Sequence, residues 1–174
     1  MIVMKKVFFC STLMLLCLVP VMGQLKHVKG ISNIGITGGI NSTGYLFGID
    51  YSHYLQPKWI LNANLRYETG KVESTSSKNC FVSGGVDYTC FELWEFLYFN
   101  AGLSFFSGFE KLVSNEARVD DVINYTFGLA GNFNAELYFS SRFLFQIKAE
   151  QYYSPLSKFG KWFPIYSLSL KYCF

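Results

Sequence analysis

Side chains capable of covalent or metal chemistry are few in this sequence, and they are scattered. His27 and His53 are its only two histidines. A Ser–His nucleophile and base need hydrogen-bond reach and an orienting acid. Serines are plentiful, but none stands in the glycine-flanked strand-to-helix context of a nucleophile elbow. Zinc would need a ligand cluster, and two isolated histidines do not make one. Beyond residue 23 the cysteines are Cys80, Cys90 and Cys173, an odd set where a disulfide-stapled secreted domain shows an even one. Cys80 and Cys90 fall on one expected strand, about 33 Å apart at the usual strand rise, and a disulfide needs less than about 7 Å. Gly38-Gly39 and Gly84-Gly85 interrupt strand patterns and do not form a phosphate-cradling loop. These residues assign no catalytic, cofactor-binding or metal site, and the expectation is a protein without enzyme activity.

A second set is organised. Asp50, Arg66, Glu68, Asp87, Glu136, Lys148, Glu150 and Lys171 each stand on the polar side of a segment that alternates with period two. In residues 59–68, Trp59, Leu61, Ala63, Leu65 and Tyr67 oppose Ile60, Asn62, Asn64, Arg66 and Glu68. The same sorting recurs in 34–40, 44–54, 80–90, 97–105, 123–137, 143–153 and 166–174. No charge falls on the apolar side of any of these segments; His53 and Gln151 are its most polar members. Eight segments, most about 9 to 13 residues long, suit tilted transmembrane strands, which need about 9 to 11. Alternation alone leaves open which face is inside, since a soluble sandwich turns its polar face to water. The apolar faces are too uniformly large and aromatic for one small core. The polar faces, rich in Gly and Asn, are small enough to fill a narrow lumen. An even strand count closes an antiparallel sheet with both termini on one side. The eight charged residues then point inward, either as a proton or ion path or as a salt-bridged plug; narrow lumens favour the plug. Five acids against three bases place some acids near a wet end.

Composition agrees. Of 174 residues, 19% are aromatic and only 16% charged, against about 25% in soluble domains, which excludes intrinsic disorder. Lys5 and Lys6 precede an apolar run over residues 7–19 closed by Pro20 and Gly23, the layout of a cleaved export signal over 1–23. A retained anchor is the alternative, though the run is short for a span. No lipoprotein pattern surrounds Cys10 or Cys17. Past residue 23 no run of about 18 apolar residues remains, which excludes a helical membrane protein. Removing Lys5 and Lys6 lowers the net charge from +3 to +1, with no basic stripe for nucleic acid.

The connections alternate in length. Residues 56–57, 91–96 and 140–141 read as short turns. Residues 68–79, 110–121 and 154–163 read as longer polar loops, with a hairpin at 41–44 on the same side. Tyr45, Trp59, Tyr67, Tyr138, Phe143 and Tyr153 are candidates for interfacial girdles. The chain ends on Phe174, with Tyr172, Leu170, Leu168 and Tyr166 at alternate positions before it. That ending resembles the signal read by the machinery that inserts outer-membrane barrels. The expected fold is all-β: one antiparallel eight-stranded transmembrane barrel of the outer-membrane type over 24–174, in a Gram-negative outer membrane and in contact with its lipid.

Three stretches carry a family resemblance: KGISNIGITGGI from Lys29, NFNAELYFSSRFLFQIKAEQ from Asn132, and SPLSKFGKWFPIYSLSLKYCF from Ser154. In their order, over nearly the whole mature chain, they resemble the TraO family of conjugative-transposon proteins of the Bacteroidetes type. The Cys80–Cys90 strand and the terminal Tyr172-Cys173-Phe174 depart from that pattern. The resemblance implies a non-enzymatic outer-membrane part of a conjugative DNA-transfer apparatus, partnered by other conjugal transfer proteins. It carries over no functional residue. A general surface barrel for adhesion or envelope stability is the alternative, and a lipid-modifying barrel with a rim Ser-His-acid cluster is a third reading.

Overall fold

The computed structural model describes residues 27–72, 75–113, 122–157 and 161–174; the expected export segment at 1–23 lies outside them. Eight strands follow one another: β1 (Ser32–Asn41), β2 (Gly44–Gln56), β3 (Trp59–Val72), β4 (Thr75–Leu93), β5 (Leu97–Val113), β6 (Val122–Tyr138), β7 (Phe143–Tyr153) and β8 (Trp162–Cys173). Each pairs antiparallel with the next, and β8 returns to β1, so the sheet closes. Reciprocal backbone bonds between Ser32 and Phe174 (2.9 and 2.8 Å) extend the closing seam to the last residue. Closure leaves no unpaired strand edge, the condition for a sheet to stand in lipid.

Every alternating segment lands on a strand, and the faces are as the sequence implies. Along β3, Ile60, Asn62, Asn64, Arg66 and Glu68 are buried, while Trp59, Leu61, Leu65 and Tyr67 are exposed. Leu103 and Phe105 are 72% and 73% exposed, and Asn100 and Ser104 on the same strand are buried. A continuous outer belt of large apolar groups would be untenable in water and is what the acyl region of a bilayer requires. Aromatic pairs in direct register mark both borders of the belt. Trp59–Tyr88 (5.0 Å) and Phe143–Tyr172 (5.3 Å) lie at the turn end, and Phe109–Tyr125 (5.7 Å) and Tyr153–Trp162 (4.7 Å) at the loop end. Tyr45, Trp59, Tyr67, Phe143 and Tyr153 face outward as girdle residues do. Tyr138 does not: it is 2% exposed, because it shares the inward parity of Glu136.

The expected loops at 68–79 and 110–121 are replaced in large part by strand. β3 and β4 pair as far as Val72–Thr75, and β5 runs to Val113. β4, β5 and β6 have 19, 17 and 17 residues, well beyond the roughly 9 to 11 that span a bilayer. Their loop-end extensions stand above the belt, where no lipid demands an apolar outer face, and Lys71 and Lys78 point outward.

Small inward residues make the lumen possible. A Cβ at Gly102 would overlap the Asp87 carboxylate, and one at Gly108 would overlap the Phe81 ring. These two positions admit the larger groups opposite them.

Candidate functional site

The lumen is built in three layers. At the turn end Ile31, Tyr54, Ile60, Tyr98, Tyr138, Leu144 and Cys173 form one buried apolar cluster. At the loop end Leu46, Phe81, Phe106, Ala130, Tyr152, Phe163 and Ile165 form another. Between them lies a polar layer that holds most of the expected inward charges.

All eight of those charges are buried. Arg66 donates from Nη1 to Glu150 and to the Tyr152 hydroxyl (2.9 Å). Lys148 lies 3.6 Å from the other oxygen of Glu150. Lys171 donates to Ser52 (2.9 Å), and Ser169 donates to Asp50 (2.6 Å). Among the described residues no ion pair reaches Asp87; Asn132 (2.8 Å) and Asn134 (3.1 Å) each give it an amide hydrogen. Asn100 and Gln146 both donate to the Asn134 carbonyl (2.8 and 3.1 Å), and Gln146 also donates to Glu136 (3.0 Å). The excess of acids is thus met partly by amides rather than by a wet end. Pairing and hydrogen bonding of this kind are what buried charges require, and the arrangement is the salt-bridged plug rather than an open path.

Two features were not legible. His27, which precedes the first strand, is buried in the turn-end cluster. Its Nε2 lies 3.0 Å from Glu136 and its ring stacks on Tyr98 at 3.8 Å. Its φ is positive, at 38°. Glu110, expected in a loop, is 1% exposed on β5 and faces inward near Glu68. A histidine with no alternating neighbours and an acid beyond the belt carry no periodic signal, so only the closed fold brings them to these partners.

Ser32 and His53 meet at the turn end, with Ser32 Oγ 2.9 Å from His53 Nδ1. Among the described residues no carboxylate joins His53, and the Ser32 hydroxyl also lies 3.1 Å from the Tyr51 hydroxyl. The pair lacks the third group that orients a base for nucleophilic catalysis. Cys80 and Cys90 are exposed on the outer face of β4, and Cys173 is buried in the turn-end cluster, all as free thiols. Among the described residues no group of three or more His, Cys, Asp or Glu is placed to hold a metal ion.

No family model matches the chain, and no curated protein does. Solved structures do. The N-terminal β-barrel domain of Pseudomonas aeruginosa OprF superposes with a TM-score of 0.60 at 11% identity, covering 84% of this chain and 98% of that one. Ail, the attachment invasion locus protein of Yersinia pestis, was solved with the heparin analogue sucrose octasulfate. It gives 0.57 at 15% identity, covering 84% and 100%. The outer membrane protein OprG from Pseudomonas aeruginosa gives 0.58 at 10% identity, covering 86% and 98%. At such identities the likeness is one of fold: this chain is a closed antiparallel eight-stranded β-barrel of the outer-membrane type.

Proposed function

We propose that the protein is a non-conducting, non-enzymatic barrel of a Gram-negative outer membrane, exported by a signal at 1–23, and that it serves adhesion or envelope stability. The observation that carries this reading is the lumen, closed at both ends by apolar layers over an ion-paired middle. A plugged barrel acts through its surfaces. Above the belt Lys71, Lys78 and Lys111 face outward on adjacent strands, and Lys78 stands directly opposite Lys111. An anionic saccharide lying across the exposed Lys71 and Lys78 meets both charges. The Ail complex with a sulfated saccharide is a precedent on the same fold for such contact. Phe174 and the alternating residues of β8 fit recognition by the barrel-insertion machinery. Reconstituted in planar bilayers, the protein should give no stepwise conductance, and a deletion strain should lose surface adherence or gain sensitivity to detergent. Channel openings, or a deletion strain unchanged in both respects, would overturn the reading.

Participation in conjugal transfer is a second reading. It rests on the resemblance in sequence and on one feature of the turn end. Trp94 stands 68% exposed at the β4–β5 turn, held at φ 54° and stacked on Phe96. Exposed Trp is favoured as an interface anchor, and this turn would face the periplasm, where transfer proteins could dock. Counting transconjugants from a deleted donor, with a deleted recipient as control, tests it; normal transfer excludes it.

A further inference from the structure

The outer face of the barrel is not uniformly large. Across β5, β6 and β7 the outward positions Ala101, Gly131 and Ala149 carry a methyl group or nothing, between the larger Leu103, Phe133 and Tyr166. They floor a groove of about 700 Å³. One side of it runs by direct pairing from Val86 through Leu103, Gly131 and Gln151 to Pro164. At the usual strand spacing that is about 19 Å, and strand tilt sets it obliquely across the belt. A Cβ at Gly131 would meet nothing nearer than a Leu103 methyl at 3.9 Å, so no close backbone approach requires this glycine.

Gln151 stands in the loop-end part of this groove. It pairs with Gly131 on one side and Pro164 on the other, two residues from Tyr153, whose ring meets Trp162 at the border of the belt. Its side chain is exposed on the outer face. A primary amide has two N–H donors and an acceptor oxygen. Gln151 donates once, over a long 3.4 Å, to the carbonyl of the next residue, Tyr152. Its other N–H and its Oε1 have no partner among the described residues. In hydrocarbon an unpartnered amide costs free energy, and a groove without a guest forfeits dispersion contacts along its walls. One ligand answers both needs: an alkyl chain with a donor and an acceptor at its head.

We propose that this groove is a binding site for an amide-linked hydroxyacyl chain of lipid A, the glycolipid of the outer leaflet, with Gln151 bonded to the amide or hydroxyl group at the chain's head. The proposal rests on placement in an outer membrane with the loop end outward. The groove is continuous with the lipid-facing belt, so acyl chains reach it directly. A glycerol ester offers acceptors only and leaves Gln151 Oε1 without a donor, whereas an amide N–H or a hydroxyl serves it. A flexible chain follows an oblique groove between Phe133, Leu103 and Tyr166. A second barrel is convex and carries large outward side chains of its own, so it meets the rims and not the floor. In hydrocarbon such packing and hydrogen bonding decide what associates, since burial from water contributes nothing there.

The test uses the full mature chain folded in detergent, with the folding of every variant checked by its heat-dependent gel mobility. Dephosphorylated lipid A is the probe, because it removes any attraction of phosphate to Lys71 and Lys78; phosphatidylethanolamine is the comparison. Native mass spectrometry over rising detergent should show one lipid A held per barrel where phosphatidylethanolamine is lost. Gly131→Leu fills the groove and should lower retention roughly tenfold, and Gln151→Leu roughly fivefold, the worth of one ordinary hydrogen bond. Gly38→Leu is the control. It fills a second outer hollow, of about 480 Å³, walled by Phe47, Phe145 and Leu168, where a Cβ meets nothing within 4 Å, and it should leave retention unchanged. If Gly131→Leu fails to fold, Gln151→Leu still decides. Retention unchanged by both groove variants, or equal retention of phosphatidylethanolamine, overturns the proposal. So do dimers of the parent, captured by cross-linking, that Gly131→Leu abolishes, since a second copy would then be the occupant. A parent without heat-dependent mobility overturns the outer-membrane placement and this site with it, whereas a folded barrel that holds no dephosphorylated lipid A overturns the site alone.

Discussion

The two ends of the lumen are both closed by aromatic residues, but by different chemistry. The loop-end layer is chiefly a packing contact, tied to the polar middle through the Tyr152 hydroxyl that accepts from Arg66: Phe106 meets Phe81 edge-on at 5.8 Å and Tyr152 at 4.7 Å, and Tyr152 stacks on Phe163 at 5.2 Å. The turn-end layer is wired into the polar middle. Tyr54 donates to Glu136 Oε2 (2.8 Å), His27 approaches the same oxygen, and Gln146 donates to Oε1 (3.0 Å). One end is held mainly by shape and the other by a single carboxylate with three partners. A packed layer degrades gradually as groups are trimmed, whereas a hub fails when its centre is lost.

Glu136→Ala should therefore have the largest effect. It leaves His27, Tyr54 and Gln146 without their shared acceptor in a site 1% exposed. Leaving buried hydrogen-bonding groups without their partner costs about 1 to 3 kcal/mol each. Urea unfolding in detergent micelles should show the loss, and limited proteolysis should show the residues around His27 released. Glu136→Gln keeps the shape and one acceptor and should fall between the two. An Ala variant as stable as the parent would mean that His27 and the tyrosines close the end by packing alone.

Phe106→Leu is the matching change at the other end. It keeps an apolar group but loses the edge contact with Phe81 and the tilted contact with Tyr152, each worth about 0.5 to 1.5 kcal/mol beyond area. A loss of about 1 to 3 kcal/mol in the same unfolding assay is expected, with the turn end still resistant to protease. If the two ends fail together, the middle layer couples them and the contrast drawn here is void.

How far this contrast could be read from sequence depends on what each residue faces. Where the outer face meets lipid, the alternation had to be strict, and Trp59 to Tyr67 or Phe143 to Ala149 declared both the strand and its faces. Above the belt that demand lapses. Thr69, Lys71, Ser76 and Lys78 carry no contrast with their neighbours, so the ends of β3 and β4 passed for a loop although backbone pairing continues through them. The inward charges were legible as a set, but not their partners, because register across strands is set by closure. Nothing in the order of residues says that Asp87 will be served by Asn132 and Asn134. Tyr138 was misjudged as a girdle residue because an aromatic at a strand end suits either face, and only its parity with Glu136 decides. Asn79 and Glu110 stand in stretches that read as loops for the same reason, although Glu68 beside them already reads as an inward strand charge, so only the pairing brings the three to one level.

The smallest effect expected is also the finest test of the hub. Tyr54 and Tyr138 are both buried, with hydroxyls 2.8 Å apart. Tyr54 spends its proton on Glu136, so Tyr138 must be the donor between them, and Asn33 also donates to the Tyr54 oxygen at 3.2 Å. Tyr138→Phe removes one donor from an oxygen that keeps another and leaves no acceptor stranded. The cost of such a bond is about 0.5 to 1.5 kcal/mol, and the low end applies here. Tyr54→Phe is the same chemical change one position nearer the centre. It takes a donor from Glu136 and strands both the Tyr138 hydroxyl and the Asn33 amide, and an orphaned buried group costs about 1 to 3 kcal/mol. The two variants should therefore separate in urea midpoint, with Tyr54→Phe the weaker protein. Equal midpoints would place the hydroxyls outside the network and reduce the turn end to a second packed layer like the first.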